Sequence, residues 1–219
     1  MNQKALIAEF IGTFTLIFLG VGSIAADSIS GGQVGVTGIA LAHGLAIAVM
    51  VSATAGISGG HLNPAVTIAL LAVKKINVRT AVQYVISQCL GAIVAAAFIR
   101  TVIPASTLSI VNFGTPSLGA NITPVMGLFT EIILTFFVVF TVYGTAVSKH
   151  APKMGGLFIG LAVTMDILMG GPITGAAMNP ARHLGPALVS GNFANIWIYW
   201  LGPLIGGALA AFTYQRAIE

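Results

Sequence analysis

The chain has 219 residues, of which 57% are hydrophobic and only 6% charged, with a formal net charge of +4. Such a composition excludes an ordinary soluble domain. A single cysteine, Cys89, excludes an intrachain disulfide and reads as a small core residue.

In chain order, a first apolar span is expected over 5–25. It runs too long, and lacks a convincing cleavage site, for a removable signal peptide. A polar Gly/Ser stretch, Asp27 to Gly35, leads to a second span over 36–57. Next comes Asn63-Pro64-Ala65, opening an apolar segment that ends at Val73 and makes about 15 Å of helix. The hydrocarbon core of a bilayer is about 30 Å thick, so this segment reaches only halfway. A third span over 79–103 is followed by the uncharged link Pro104 to Pro124, and two more spans over 125–147 and 155–171. A second Asn-Pro-Ala, Asn179-Pro180-Ala181, opens another short segment before the last span over 195–216.

The two halves repeat. Ser58 to Ala65 matches Thr174 to Ala181, Glu9 to Phe14 matches Glu131 to Phe136, and Tyr84 and Gly91 match Tyr199 and Gly206. Each half holds three spans and one half-helix, and an odd number of spans starts the second half on the opposite side of the membrane. The expected architecture is therefore an all-α membrane protein, with six transmembrane helices and two re-entrant half-helices in an inverted repeat. Residues 1–219 form a single channel domain, with repeats over about 1–103 and 125–219 joined by an outside loop. Small residues within the spans, such as Gly91, Ala92, Gly206 and Gly207, suit close helix packing in lipid.

Lys4, Lys74, Lys75, Arg79, Lys149, Lys153 and Arg216 all fall on one side of this map. The positive-inside rule puts that side, and both termini, in the cytoplasm, and the cell (plasma) membrane is the expected location. The same bias accounts for the net charge, so no nucleic acid partner is needed. The sequence offers no metal-ligand cluster, phosphate loop or nucleophile–base pair, hence no expected cofactor, metal or enzyme chemistry. Asp27 and Asp166 are expected near the outside surface.

Asn63 and Asn179 suit N-caps and Pro64 and Pro180 suit first helical residues. With each carboxamide oxygen capping its own helix, each NH2 group is expected to donate into the lumen. A water accepting from both asparagines must turn its hydrogens outward, which breaks a proton-hopping chain. Two positive helix ends add a barrier to cations. Arg182 breaks the symmetry, since its counterpart is Val66. A cation at a positive helix end is unfavourable unless it serves a purpose, and a donor-lined, cation-repelling constriction is such a purpose. The bland alternative is an ion pair with Glu9 or Glu131. These two intramembrane acids suggest by default a proton relay, and inverted repeats also describe secondary transporters. One acid placed symmetrically in each half argues instead for a structural role.

The two Asn-Pro-Ala boxes, the Glu-x-x-x-Thr-Phe pair, Arg182 and Tyr199-Trp200-Leu201-Gly202-Pro203 together resemble the aquaporin (major intrinsic protein) family over essentially the whole chain. Gly185 to Ser190 and Tyr199 to Gly207 resemble the tonoplast-intrinsic type. The resemblance implies a homotetramer with one pore per subunit, conducting water in a lipid bilayer and excluding protons and ions. It places the selectivity filter at His43, Ile167, Ala176 and Arg182. Ile167 and Ala176 are smaller than the usual family choices, which implies passage of small neutral solutes such as ammonia, urea or hydrogen peroxide beside water. The alternative is a facilitator with ammonia or urea as its main substrate. Some plant relatives add a histidine from the outside loop, and residues 104–124 contain none. Glu9 and Glu131 are implied to hold the loops that precede the half-helices, and His61 to sit at the cytoplasmic mouth as an anchor or gate. His183 departs from the family pattern and receives no role.

Overall fold

A computed structural model describes residues 2–218. They form α1 (Gln3–Ile29), α2 (Gly35–Ser58), α3 (Pro64–Ala72), α4 (Val78–Val102), the short α5 (Ala105–Ile110), α6 (Pro124–Val142), α7 (Gly155–Thr174), α8 (Pro180–Ser190) and α9 (Ile198–Thr213). A 3₁₀ turn, Asn112–Gly114, follows α5, and π-helical turns continue α6 to Val147 and α9 to Ile218. Helices α1, α2, α4 and α7 and the 24-residue stretch from α6 are each long and apolar enough to cross a bilayer. The sixth span, α9, has 16 helical residues and gains length from its π turn. The half-helices α3 and α8 have 9 and 11 residues. Span boundaries follow the apolar segments of the sequence to within a few residues, whereas α5 in the outside link was not foreseen.

Several of the helices begin where a side chain replaces a missing backbone partner, while α2, α5, α7 and α9 have no such cap. The asparagine at position 2 caps α1, Asn77 caps α4 and Thr123 caps α6, each accepting from a first-turn amide. Large apolar side chains such as Ile7, Leu45, Val49, Phe129 and Met169 stand exposed around the outside, a distribution suited to lipid and not to water. No strand occurs among the described residues.

Packing repeats the sequence symmetry. α1 pairs with α4 as α6 pairs with α9, α2 lies against α7, and each half-helix docks on a span of the other half, α8 on α4 and α3 on α9. A Cβ on Gly91 would run into the Phe10 carbonyl, and one on Gly206 into the carbonyl of the matching residue, Ile132. Glycine at both positions lets the two backbones meet, the close approach that stabilises helices in lipid.

Asp166 is not at the surface. It lies within α7, only 3% exposed, and its Oδ2 has no hydrogen-bond partner among the described residues. Its neighbour one turn on, Gly170, abuts Leu134 of α6, which puts Asp166 on the stripe of α7 that meets α6. α7 is apolar on all sides, so no periodicity could reveal its buried face. Asp27 lies near the end of α1, half-buried, its Oδ1 accepting from the Gly35 amide at 2.7 Å.

Two stability predictions follow from this packing, both read as thermal unfolding in detergent. Gly91→Ala should destabilise by about 1–3 kcal/mol because a backbone must move, while Gly56→Ala, which meets nothing within 4 Å, should be neutral or mildly stabilising. Asp166→Asn should lose no stability, since it breaks no hydrogen bond.

Candidate functional site

The centre of the molecule is built by two short loops that turn back between a span and a half-helix. α2 ends at Ser58 and Gly59 takes the left-handed conformation with φ 93°; α7 ends at Thr174 and Gly175 does the same with φ 80°. Leu62 and Met178 hold φ values of 51° and 52°, and Asn63 and Asn179 are then extended at φ −156° and −152°. Left-handed backbone at non-glycine residues persists only where surroundings over-determine it.

Two fully buried carboxylates supply that constraint. Glu9 Oε1 accepts from Ser58 Oγ at 2.6 Å and the His61 amide at 2.9 Å, and Oε2 accepts from the Leu62 amide and Gln88 Nε2, both at 2.7 Å. Glu131 Oε1 accepts from Thr174 Oγ1 at 2.7 Å and the Ala177 amide at 2.9 Å, and Oε2 from the Met178 amide at 2.7 Å. Charge-assisted bonds of this kind are roughly twice as strong as neutral ones. Tyr84 and Tyr199 each donate a hydroxyl to the carbonyl that ends the preceding span, Ser58 and Thr174, both at 2.9 Å.

The asparagines then lock the two halves together. Asn63 Oδ1 caps its own helix through the Ala65 amide at 2.8 Å, and Asn179 Oδ1 does so through the Ala181 and Arg182 amides at 3.0 and 3.3 Å. Each Nδ2 crosses to the other loop: Asn63 donates to the Met178 carbonyl at 2.9 Å and Asn179 to the Leu62 carbonyl at 3.0 Å. The NH2 groups are therefore not wholly free for the lumen, as the sequence suggested. One hydrogen of each is spent on this reciprocal bridge and one remains. The bridge was invisible in sequence because its acceptors are backbone carbonyls.

Both asparagines line a narrow internal cavity of about 40 Å³, with Leu16, Ile47, Val66, Val138 and Val163 among its apolar walls. That is room for water-sized molecules and little more. At one end, called the outer end below, a wider vestibule of about 380 Å³ opens, and His43, Ile167 and Arg182 border both spaces. They are the neck between the two. Ala176 lines the inner side of that neck. The structure thus brings together all four positions that the resemblance singled out, from α2, α7, the second loop and α8.

His43 is buried, and its Nδ1 lies 2.9 Å from the Ile39 carbonyl, which makes Nδ1 the donor. Arg182 forms no ion pair with Glu9 or Glu131, whose oxygens serve the loops. Its Nη1 donates instead to the Gly114 carbonyl at 2.7 Å. Gly114, in the outside link with φ 66°, is a site residue that sequence reasoning missed, because a carbonyl acceptor leaves no side-chain signature.

At the end of the cavity away from the vestibule His61 also lines it; its Nδ1 lies 3.0 Å from Thr67 Oγ1 and its ring packs edge-on to Tyr84. The position matching Thr67 in the second half is His183. That ring is fully buried and stacks on Tyr199 with centroids 4.3 Å apart. Each half thus packs one imidazole on its tyrosine, from the loop in one and from the half-helix in the other. His183 fills this space and does not border the cavity. Cys89 is half-buried on α4, against the core and away from the cavity. No group of three or more metal-ligating side chains occurs among the described residues.

The comparisons with known proteins agree with this geometry. The family profile described as Major intrinsic protein matches residues 1–214. Aquaporin TIP4-4 of Zea mays is 44% identical over 97% of this chain and 85% of its own length. Probable aquaporin TIP3-2 of Arabidopsis thaliana is 45% identical over 98% and 84%, and Aquaporin-4 of Mus musculus 43% over 97% and 66%. Among solved structures, the aquaglyceroporin from Plasmodium falciparum superposes with a TM-score of 0.90 at 26% identity, covering 100% of this chain and 97% of that one. The chain belongs to the major intrinsic protein family, the family of the aquaporins.

Proposed function

We infer that the chain is a passive membrane channel that conducts water in single file and rejects protons and ions. The observation that carries this is the pair of bridged asparagines at the centre of an apolar, water-wide cavity. Apolar walls offer a passing water few partners, so it moves freely. At the centre, the remaining N–H of Asn63 and of Asn179 can both donate to one water oxygen. That water must direct its own hydrogens away along the file, and hydrogen-bond polarity reverses there. Proton hopping needs one unbroken polarity and fails at that point. The N-termini of α3 and α8, each worth roughly half a positive charge, raise the barrier to any cation.

We assign His43, Ile167, Ala176 and Arg182 as the selectivity filter, with Glu9 and Glu131 as loop supports and His61 at the inner mouth. The lining is nearly two-fold symmetric, and the positions matching the four filter residues are Ile159, Val51, Gly60 and Val66. Of the two rings only the outer one carries a cation, Arg182, where the inner one has Val66, which supports placing discrimination there. Ile167 and Ala176, apolar and smaller than the usual family choices, favour passage of ammonia, urea or hydrogen peroxide beside water; a facilitator of ammonia or urea is the second reading. We place both termini in the cytoplasm of a cell-membrane homotetramer, supported by exposed basic residues at the N-terminus and in the α3–α4 and α6–α7 links.

Purified protein in proteoliposomes should give fast osmotic water flux with low activation energy, and no proton current under a pH gradient. A measurable proton conductance of the wild-type pore would contradict the mechanism. Arg182→Val, which copies the first half's Val66, should keep water flux while raising urea flux about tenfold through a wider, uncharged neck. His43→Phe should act in the opposite direction, lowering urea flux relative to water. Unchanged solute-to-water ratios in both variants would disprove the filter assignment while leaving the asparagine bridge untouched.

A further inference from the structure

Gly20 lies in the middle of α1, buried, and does not border the cavity. A Cβ built on it would fall directly on the tip of the His43 ring: Nε2 is nearest, with Cδ2 at 2.6 Å and Cε1 at 2.9 Å. All three nearest atoms belong to that one side chain. The ring therefore leans on bare helix backbone, with Nδ1 tethered to the Ile39 carbonyl on the opposite side. His43 is only 3% exposed, and the open spaces that it borders are the inner cavity and the outer vestibule. A ring pushed off α1 has nowhere to go but into the neck.

The other half offers a comparison. The position matching Gly20 is Val142, eleven residues after Glu131 as Gly20 is eleven after Glu9, and the position matching His43 is Ile159. Val142 and Ile159 are both buried and both line the cavity near its cytoplasmic end. Two medium side chains share the wall there, where the outer half has one large ring and no side chain behind it. We propose that Gly20 is a positioning residue of the filter, setting the aperture by fixing how far His43 stands back from the pore axis. The proposal rests on the assignment of His43 to the constriction.

The test is stopped-flow water and urea permeability of proteoliposomes holding wild type, Gly20→Ala, Gly22→Ala, His43→Ala and the double variant Gly20→Ala/His43→Ala, normalised to reconstituted protein. Gly22 meets nothing within 4 Å and controls for the effect of alanine on α1. Gly20→Ala should lower water permeability about fivefold or more by narrowing the neck, Gly22→Ala should match wild type, and the double variant should match His43→Ala. If Gly20→Ala does not fold but the double variant does, the clash with the ring is demonstrated in another way. Gly20→Ala with wild-type permeability, a defect that persists in the double variant, or a double variant that fails to fold would each overturn the proposal. His43→Ala separates the two layers: if it leaves the urea-to-water ratio unchanged, the filter assignment fails, whatever position 20 does.

Discussion

Inside a bilayer an unpaired backbone amide has no water to turn to, and each one costs several kcal/mol. Two loops at the middle of this protein leave the helical pattern at that depth, and everything else depends on how their amides are satisfied. Glu9 and Glu131 do it, each gathering two consecutive loop amides and a hydroxyl on one buried carboxylate. Those bonds hold Leu62 and Met178 in left-handed backbone, and that backbone brings each carbonyl within reach of the opposite asparagine. The half-helices then start at fixed points and fixed angles. An ionisable residue in a membrane is by default a candidate for proton transport; here both acids have their oxygens occupied as acceptors, which leaves them as structural anchors.

The same framework, repeated with inverted sense, makes a nearly symmetric tube whose two ends differ in their lining. The inner ring of Val51, Ile159 and Val66 is hydrocarbon; its outer image of Ile167, His43 and Arg182 carries a cation and a polar ring. Holding a guanidinium beside a positive helix end needs a compensating acceptor, and the Gly114 carbonyl from the outside link provides it. This gives the otherwise irregular link between the halves a purpose: it reaches back over the vestibule to tie down the arginine. The exchange of Thr67 for His183, and of Gln88 for Pro203, shows that the halves have diverged in how they fill the space beside their tyrosines while keeping the tyrosine hydroxyl bonds alike.

Much of this was legible in the residues themselves. Apolar length determined the spans, because bilayer thickness and helix rise are both constants. The doubled Asn-Pro-Ala determined the half-helix starts, because a capping side chain and a proline without an amide suit only a first turn. The odd number of spans per repeat determined the inversion, and the paired acids pointed to their structural role. What only the tertiary structure decided were contacts whose partners are backbone atoms or bare space. The asparagine bridge ends on carbonyls, Arg182 ends on a carbonyl, and the His43 ring rests on a glycine, and none of these acceptors has a side chain to read. Asp166 belongs with them: a helix apolar all round has no periodic signal for its buried face, so only packing against α6 could place it.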